Sequence, residues 1–200
     1  MRKLLVINPN TSASVSTLLQ THVQAAAGLH VQVRTVTARF GAPYIADEAS
    51  YAVAAHAALD AWAAALTETE NTPDAVLIGC FGDPGLLALR ESSPVPVTGL
   101  AEAAFIDAAR HGRFAIVTGG TRWGPMLQRL AQALGHAPQL AGMAAAVQPQ
   151  VSVPVIDSVV AGTTWALRSH PAPPERSTPG FDVAWQQLSP ELTALGLAGH

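Results

Sequence analysis

Residues 73–90 read PDAVLIGCFGDPGLLALR, and the division of this stretch decides the fold. Ala75 to Ile78 is a short apolar run. Gly79 and Cys80, the only cysteine in the chain, come next, and Phe81-Gly82-Asp83-Pro84-Gly85 is a turn that opens a leucine-rich segment. The stretch therefore reads as strand, loop, helix. In a parallel sheet covered by helices, Cys80 sits at the carboxyl end of a strand, where open α/β sheets place their ligands. The spacing predicts Asp83 as the cap of the following helix and Pro84 in its first turn, where a missing N–H costs nothing. The amino end of that helix then faces the thiol, a geometry that lowers a cysteine pKa and offers N–H groups to an anion. Residue type alone leaves a second reading open, in which Cys80 is a small buried hydrophobe.

Working back toward the start, Lys3 to Ile7 is a nearly continuous apolar run, as expected of a strand buried on both faces. It ends in Asn8-Pro9-Asn10-Thr11-Ser12, followed by Val15, Leu18, Leu19, His22, Val23 and Ala26 at helical spacing. Thr11 or Ser12 can cap that helix, and Asn8 with Thr11 can present hydrogen-bond donors at the sheet edge; a plain Asn-Pro turn uses the same residues. His30 to Val36 alternates like a strand near the edge of a sheet. Phe40 to Ile45 is a loop carrying two aromatics, Phe40 and Tyr44. Ala49 to Leu66 is an alanine-rich helix with Ala55, Leu59, Trp62 and Leu66 on one face and Asp60 on the other.

Beyond residue 90, Pro94 to Gly99 is a proline-bounded strand of edge or irregular type. Leu100 to His111 is a helix with Glu102 in its first turn, and Arg113 to Thr118 is a further strand. That strand enters Gly119-Gly120-Thr121, whose N–H groups suit an oxyanion. Trp123, Leu127, Leu130 and Leu134 make another helical stripe, closed by Gly135. After Gly135 the rhythm falters. Leu140 to Gln150 reads as a short helix, Val153 to Asp157 as a short strand, and Val159 to Arg168 as a helix. The proline-rich residues from 169 read as a linker or disordered terminus, with Phe181, Trp185, Leu188 and Leu192 able to form a small docking helix.

Composition narrows the function classes. The 200 residues are 49% hydrophobic and 12% charged with a net charge of −3, which gives a compact soluble protein with no basic field for nucleic acid. The strand, loop, helix rhythm, repeated about five times up to Gly135, makes it a parallel α/β protein. No apolar stretch is long enough to span a membrane, and the start lacks the apolar core of a signal peptide, so a cytoplasmic protein is expected. One cysteine excludes an intrachain disulfide and any multi-cysteine zinc site, and the seven histidines are scattered without metal-ligand spacing. Neither a dinucleotide nor a Walker-type phosphate fingerprint is present.

Four motifs together resemble the aspartate/glutamate racemase superfamily, and more closely its hydantoin racemase branch: Ile7 to Ser12, Ile78 to Leu86, Gly99 to Ala103 and Pro154 to Ser158. The resemblance runs over roughly residues 3 to 168 with one interruption. It implies two pseudo-symmetric parallel-sheet lobes with a cleft between them: residues 1–97 as the first lobe, 98–168 as a shortened second lobe, and 169–200 as a tail. It also implies a cofactor-independent enzyme acting on a small-molecule substrate, with no metal, and admits a homo-oligomer. In such enzymes one cysteine thiolate removes the proton next to a carbonyl while a second thiol reprotonates the opposite face, with N–H or hydroxyl donors holding the enolate charge.

By motif position Cys80 matches the first-lobe catalytic cysteine, and Asn8, Thr11, Tyr44, Gly82, Thr118 and Gly119 match substrate-holding positions. This chain has no second cysteine. Roughly forty to fifty residues that would carry it are missing between segments resembling Pro138–Gly142 and Ala144–Gln150. The implied activity is thus racemisation at the carbon next to a carbonyl of a hydantoin or amino acid. The alternatives are a degenerate non-catalytic ligand binder or a single-cysteine decarboxylase of the same superfamily.

Overall fold

The computed structural model describes residues 1–68, 72–120, 122–144, 153–168 and 176–197. Four strands, β1 (Arg2–Asn8), β2 (Val31–Thr37), β3 (Ala75–Ile78) and β4 (Val97–Gly99), form one parallel sheet in the order β2-β1-β3-β4. The inner strands are buried on both faces, which is why their sequences show no polar alternation. Leu5, Ile7, Val76 and Ile78 point to a layer built by α2 (Glu48–Leu66) and α3 (Leu86–Ser92). Leu4, Val6, Ala75 and Leu77 point to the other side, against Leu19 and Val23 of α1 (Ala13–Ala27). Gly79 leaves the sheet where only hydrogen fits: a Cβ there would stand 2.7 Å from Leu19 Cδ1.

The outer edge of β2 is closed by side chains of α1. Gln24 donates to the Val31 carbonyl and accepts from Val33 N–H, while Gln20 donates to the Val33 carbonyl and accepts from Thr35 N–H. Each glutamine amide thus reads the strand as a neighbouring strand would.

Helix α4 (Leu100–Ala109) leaves β4 directly and leads to a second parallel sheet of β5 (Phe114–Val117) and β6 (Leu140–Ala144), joined by α5 (Trp123–Ala133). Phe105 of α4 stacks on Phe114 at 5.5 Å between ring centroids and meets Phe81 edge-on at 6.0 Å. Together with Ile116, Met126, Leu127 and Leu130 it forms the core of this smaller sheet. The α/β architecture with two parallel sheets matches the expectation from sequence, and the second sheet is the smaller, with two strands among the described residues.

Several expectations are corrected. Leu140–Ala144 is a strand, not the start of a helix; residues 145–150 lie outside the described residues. The free edge of β5 and the apolar pocket around Leu140 override the helix preference of an alanine-rich segment. Residues 153–157 form no strand, since Pro154 lacks a donor and Val153 and Val155 are exposed. Asp157 instead caps α6 (Ser158–Ala166), accepting from Val159 and Val160 N–H. This helix lies in the segment expected to build the second lobe, yet it packs on the first sheet between α1 and α4, with Gly162 against Leu100 and Leu77.

The tail is also better ordered than its proline content suggests. Residues 176–197 dock on α2 and end in α7 (Pro190–Leu197), with Leu192 fully buried and Phe181 edge-on to Trp62 at 6.3 Å; residues 169–175 lie outside the described residues. Asp60, expected on the outer face of its helix, lies beneath this segment and is 2% exposed. Arg39 holds it with two hydrogen bonds of 2.8 Å and reaches on to Glu191 of α7. Removing the guanidinium leaves a buried carboxylate without its cation, so Arg39→Ala should cost on the order of 2 kcal/mol in urea unfolding. It should also speed proteolysis within residues 176–197, and an unchanged cleavage rate would show that α7 is held by apolar packing alone.

Candidate active site

Because the strands of the first sheet are parallel, the loops after β1, β2 and β3 emerge on one side. The β1 loop is shaped from within. Asn8 is fully buried; its amide donates to Asn10 Oδ1, the Ser12 carbonyl and Ser16 Oγ, while its Oδ1 accepts from Asn10 N–H. The side chain is occupied in folding the loop. Thr11, half-buried, ties this loop to the next by donating its backbone N–H to the Ala42 carbonyl at 3.1 Å, and its hydroxyl has no partner among the described residues. Ser12 stands at the cap of α1, where its hydroxyl pairs with the Ser14 hydroxyl at 2.9 Å rather than with a backbone N–H of the helix. Tyr44, two residues past Ala42, is largely exposed, and its hydroxyl lies 3.9 Å from the position a Cβ on Gly119 would take.

Cys80 follows β3 in a tight turn closed by Asp83 N–H donating to the Cys80 carbonyl at 3.0 Å. Asp83 is in the left-handed region with φ 51, and Gly82 has φ 134. Gly82 lies directly under the indole of Trp123; a Cβ would stand 2.5 Å from that ring. Its carbonyl accepts from the Tyr51 hydroxyl at 2.7 Å. The same indole borders Gly120, where a Cβ would be 3.7 Å away. Trp123 therefore spans the exits of β3 and β5, one from each sheet. Thr118 N–H donates to the Ala144 carbonyl, leaving its half-buried hydroxyl without a partner among the described residues, and Gly119 is exposed beside it.

The cap expected at Asp83 is corrected. Helix α3 starts at Leu86 after a left-handed Gly85, and Pro84 belongs to the buried turn. The Asp83 carboxylate turns the other way, accepting from Ala101 N–H at 2.9 Å and Glu102 N–H at 2.7 Å, so it caps α4. The tight approach needs Gly99, where a Cβ would fall 2.1 Å from Asp83 Cγ. Behind it, Glu102 accepts from Thr98 Oγ1 and from Arg90, which also donates to the Val97 carbonyl.

The electrostatics run against the expectation of an acidified thiol. Burial pushes Cys80 up to about 12, and the Asp83 carboxylate adds to the effect. Burial likewise raises Asp83 to about 7, against the two backbone N–H bonds that favour its charge. Tyr51 is raised to about 12 by its own burial, then by Asp83 and Cys80. The resting site thus holds a protonated thiol packed beside Phe81 and the aromatic cluster of the second sheet.

Of the positions singled out in the sequence, Gly82 lies against Trp123 and Tyr44 approaches Gly119, while Thr11 joins through its bond to the β2 loop; Cys80 and Thr118 come to these places as chain neighbours of the same two turns. Sequence reading assigned Trp123 to a helical stripe and gave Tyr51 no role. The available signal was a bulky aromatic opening a helix directly after a Gly-Gly-Thr turn.

Residues 4–147 match the model of the Asp/Glu/hydantoin racemase family. A hydantoin racemase of Paenarthrobacter aurescens is 35% identical over 102 residues, covering 51% of this chain and 42% of that protein. A hydantoin racemase of Pseudomonas sp. (strain NS671) is 30% identical over 134 residues, 66% and 53% of the respective chains. Among solved structures, allantoin racemase from Klebsiella pneumoniae superposes with a TM-score of 0.65 at 34% identity, covering 72% of this chain and 58% of that one. Allantoin racemase from Pseudomonas fluorescens gives 0.64 at 26% identity, with 70% and 59% covered. The chain spans about half the length of the hydantoin racemases it matches. With a family match over most of its length and the strand-exit loops of both sheets meeting at one aromatic, the chain belongs to the Asp/Glu/hydantoin racemase family.

Proposed function

We propose that this protein exchanges the proton on the carbon next to a carbonyl in a small hydantoin-like ring or amino acid, with Cys80 as the group that takes and returns it. The observation that carries the reading is the placement of the sole thiol at the exit of β3, opposite the β5 exit, with Trp123 closing over both. The step is a proton transfer: Cys80 as thiolate accepts the proton, the C–H pair becomes the carbon–carbon double bond of the enolate, and the carbonyl π pair moves onto the oxygen, which takes the charge. The Thr11 and Thr118 hydroxyls and the Gly119 N–H are the donors proposed to hold that oxygen, with Asn8 shaping the first of these loops and Tyr44 and Gly82 lining the pocket. Such chemistry asks for no cofactor or metal, and a free thiol suits a reducing cytoplasm.

Return of the proton from Cys80 restores the original hand. Inversion needs a donor on the opposite face, and with a single cysteine in the chain that donor is water or another acid. Isotope exchange should therefore outrun racemisation. A second reading, a binding protein without turnover, is favoured by the protonated resting state of Cys80.

A 5-substituted L-hydantoin incubated in deuterated buffer, followed by proton NMR and polarimetry, separates these readings. Deuterium uptake several-fold faster than loss of rotation supports the half-site mechanism; no uptake across hydantoins, allantoin and acidic amino acids overturns it. Ligand binding retained in Cys80→Ser, with no uptake by the parent, would establish the binding protein. If exchange occurs, Cys80→Ser should lower it by about 100-fold or more. Because the thiolate is the minor form at neutrality, the rate should climb between pH 7 and 9 rather than level off, and a plateau there would mean another base does the work.

A further inference from the structure

The turn that carries Cys80 is gripped from outside by a single hydroxyl. Tyr51, near the start of α2, donates its phenolic O–H to the Gly82 carbonyl at 2.7 Å. In a trans peptide the carbonyl of one residue and the N–H of the next point in opposite directions. With the Gly82 oxygen turned to Tyr51, the Asp83 N–H is turned to the Cys80 carbonyl, which it meets at 3.0 Å. One peptide plane is thus held at both ends, and one of those ends closes the loop around the thiol. Gly82 needs such a hold, because its φ of 134 lies in a region that favours glycine and a residue without a side chain restrains its own peptide least. The Trp123 indole packs directly on Gly82. An apolar contact of that kind fixes position, not the direction of a carbonyl.

Tyr51 is built into place for this. The Asp47–Ser50 capping box fixes the start of α2 immediately before it. Its ring stands edge-on to Trp123 at 6.4 Å, within the aromatic cluster that also takes in Cys80 and Phe81. A phenylalanine would fill the same space, so the hydroxyl is the part that packing does not call for. That hydroxyl is spent on the backbone two residues beyond the thiol.

We propose that Tyr51 is a positioning residue of the Cys80 site: its hydroxyl fixes the Gly82–Asp83 peptide and, through it, the turn that carries the thiol. The inference rests on the reading of Cys80 as the reacting group. Tyr51 exchanges no proton with substrate and acts through the backbone alone. Without its hydroxyl the buried Gly82 carbonyl loses its partner, the peptide is free to rotate, and the closure on Cys80 opens. A loosened thiol meets a small reagent more easily yet spends less time in the geometry that proton transfer requires. The two reactivities should therefore move in opposite directions.

The test compares the full-length wild type with Tyr51→Phe. Cys80 is the only cysteine, so iodoacetamide labelling followed by intact mass reports this thiol alone, without substrate. Labelling of Tyr51→Phe at neutral pH should be about threefold faster or more, while kcat for deuterium exchange into a 5-substituted L-hydantoin falls about tenfold with KM nearly unchanged. A hydroxyl that only stabilises the fold predicts a lower urea midpoint with labelling and kcat both at wild-type values, and that result overturns the proposal. So does faster labelling that climbs with low urea as steeply as the global transition, since it then reports unfolding rather than a local opening. With p-aminophenylalanine at position 51, which restores a weaker donor on the same ring, labelling should fall between wild type and Tyr51→Phe; a rate equal to that of Tyr51→Phe overturns the proposal. Should Tyr51→Phe fail to fold, the p-aminophenylalanine protein decides by itself, with labelling faster than wild type expected and an equal rate overturning the proposal. If the wild type exchanges no deuterium while the labelling pattern holds, the racemase reading falls and the hold of Tyr51 on the Cys80 turn stands.

Discussion

Burial of β1 and β3 on both faces is the constraint from which the remaining architecture follows. A strand such as Leu4-Leu5-Val6-Ile7 cannot leave either face to water, so each face of the sheet must be roofed by helices. One roof comes from sequence neighbours, α2 and α3, and the other begins with α1. Both are finished by distant parts of the chain: α6 returns beside α1, and the segment ending in α7 returns beside α2. The first sheet thus recruits residues from beyond the small second sheet to complete the larger core.

The second sheet has the opposite situation. Two strands alone bury too little to be stable, and its core draws on α4 and α5, with Phe105 shared between the stacked Phe114 and the Cys80-flanking Phe81. Helix α4 is therefore the mechanical link between the sheets. Its Leu100 packs with the first core and its Phe105 with the second. The Asp83 carboxylate on its amino end puts the reactive loop on the same link, so the thiol, the helix and the small sheet are positioned together.

Much of this was legible in the chain. The apolar runs at residues 3–7 and 75–78 announced a parallel sheet, and the Gly-Cys-Phe-Gly-Asp-Pro-Gly turn placed a thiol at a strand exit. What escaped reading had a common physical cause: partners far away in sequence. Asp83 followed by Pro84 satisfies the local rule for a helix start, but the N–H groups it serves are 18 and 19 residues on. Asp60 looked solvated because Arg39 and the tail that cover it lie 21 and more residues away. Leu140–Ala144 carries helix-favouring alanines, and only an unpaired edge at β5 makes it a strand. The thiol's environment escaped for the same reason, since a local motif suggests a helix dipole and says nothing of the aromatic cluster that desolvates it.

The glutamines of α1 have a consequence for how copies of this chain can meet. With Gln20 and Gln24 occupying backbone groups of Val31, Val33 and Thr35, β2 offers no open ladder. On the far side, the Arg90 guanidinium sits on the Val97 carbonyl of β4. Side chains of neighbouring helices thus occupy backbone groups on both borders of the four-stranded sheet, most fully along β2, which disfavours growth of that sheet from one molecule into the next.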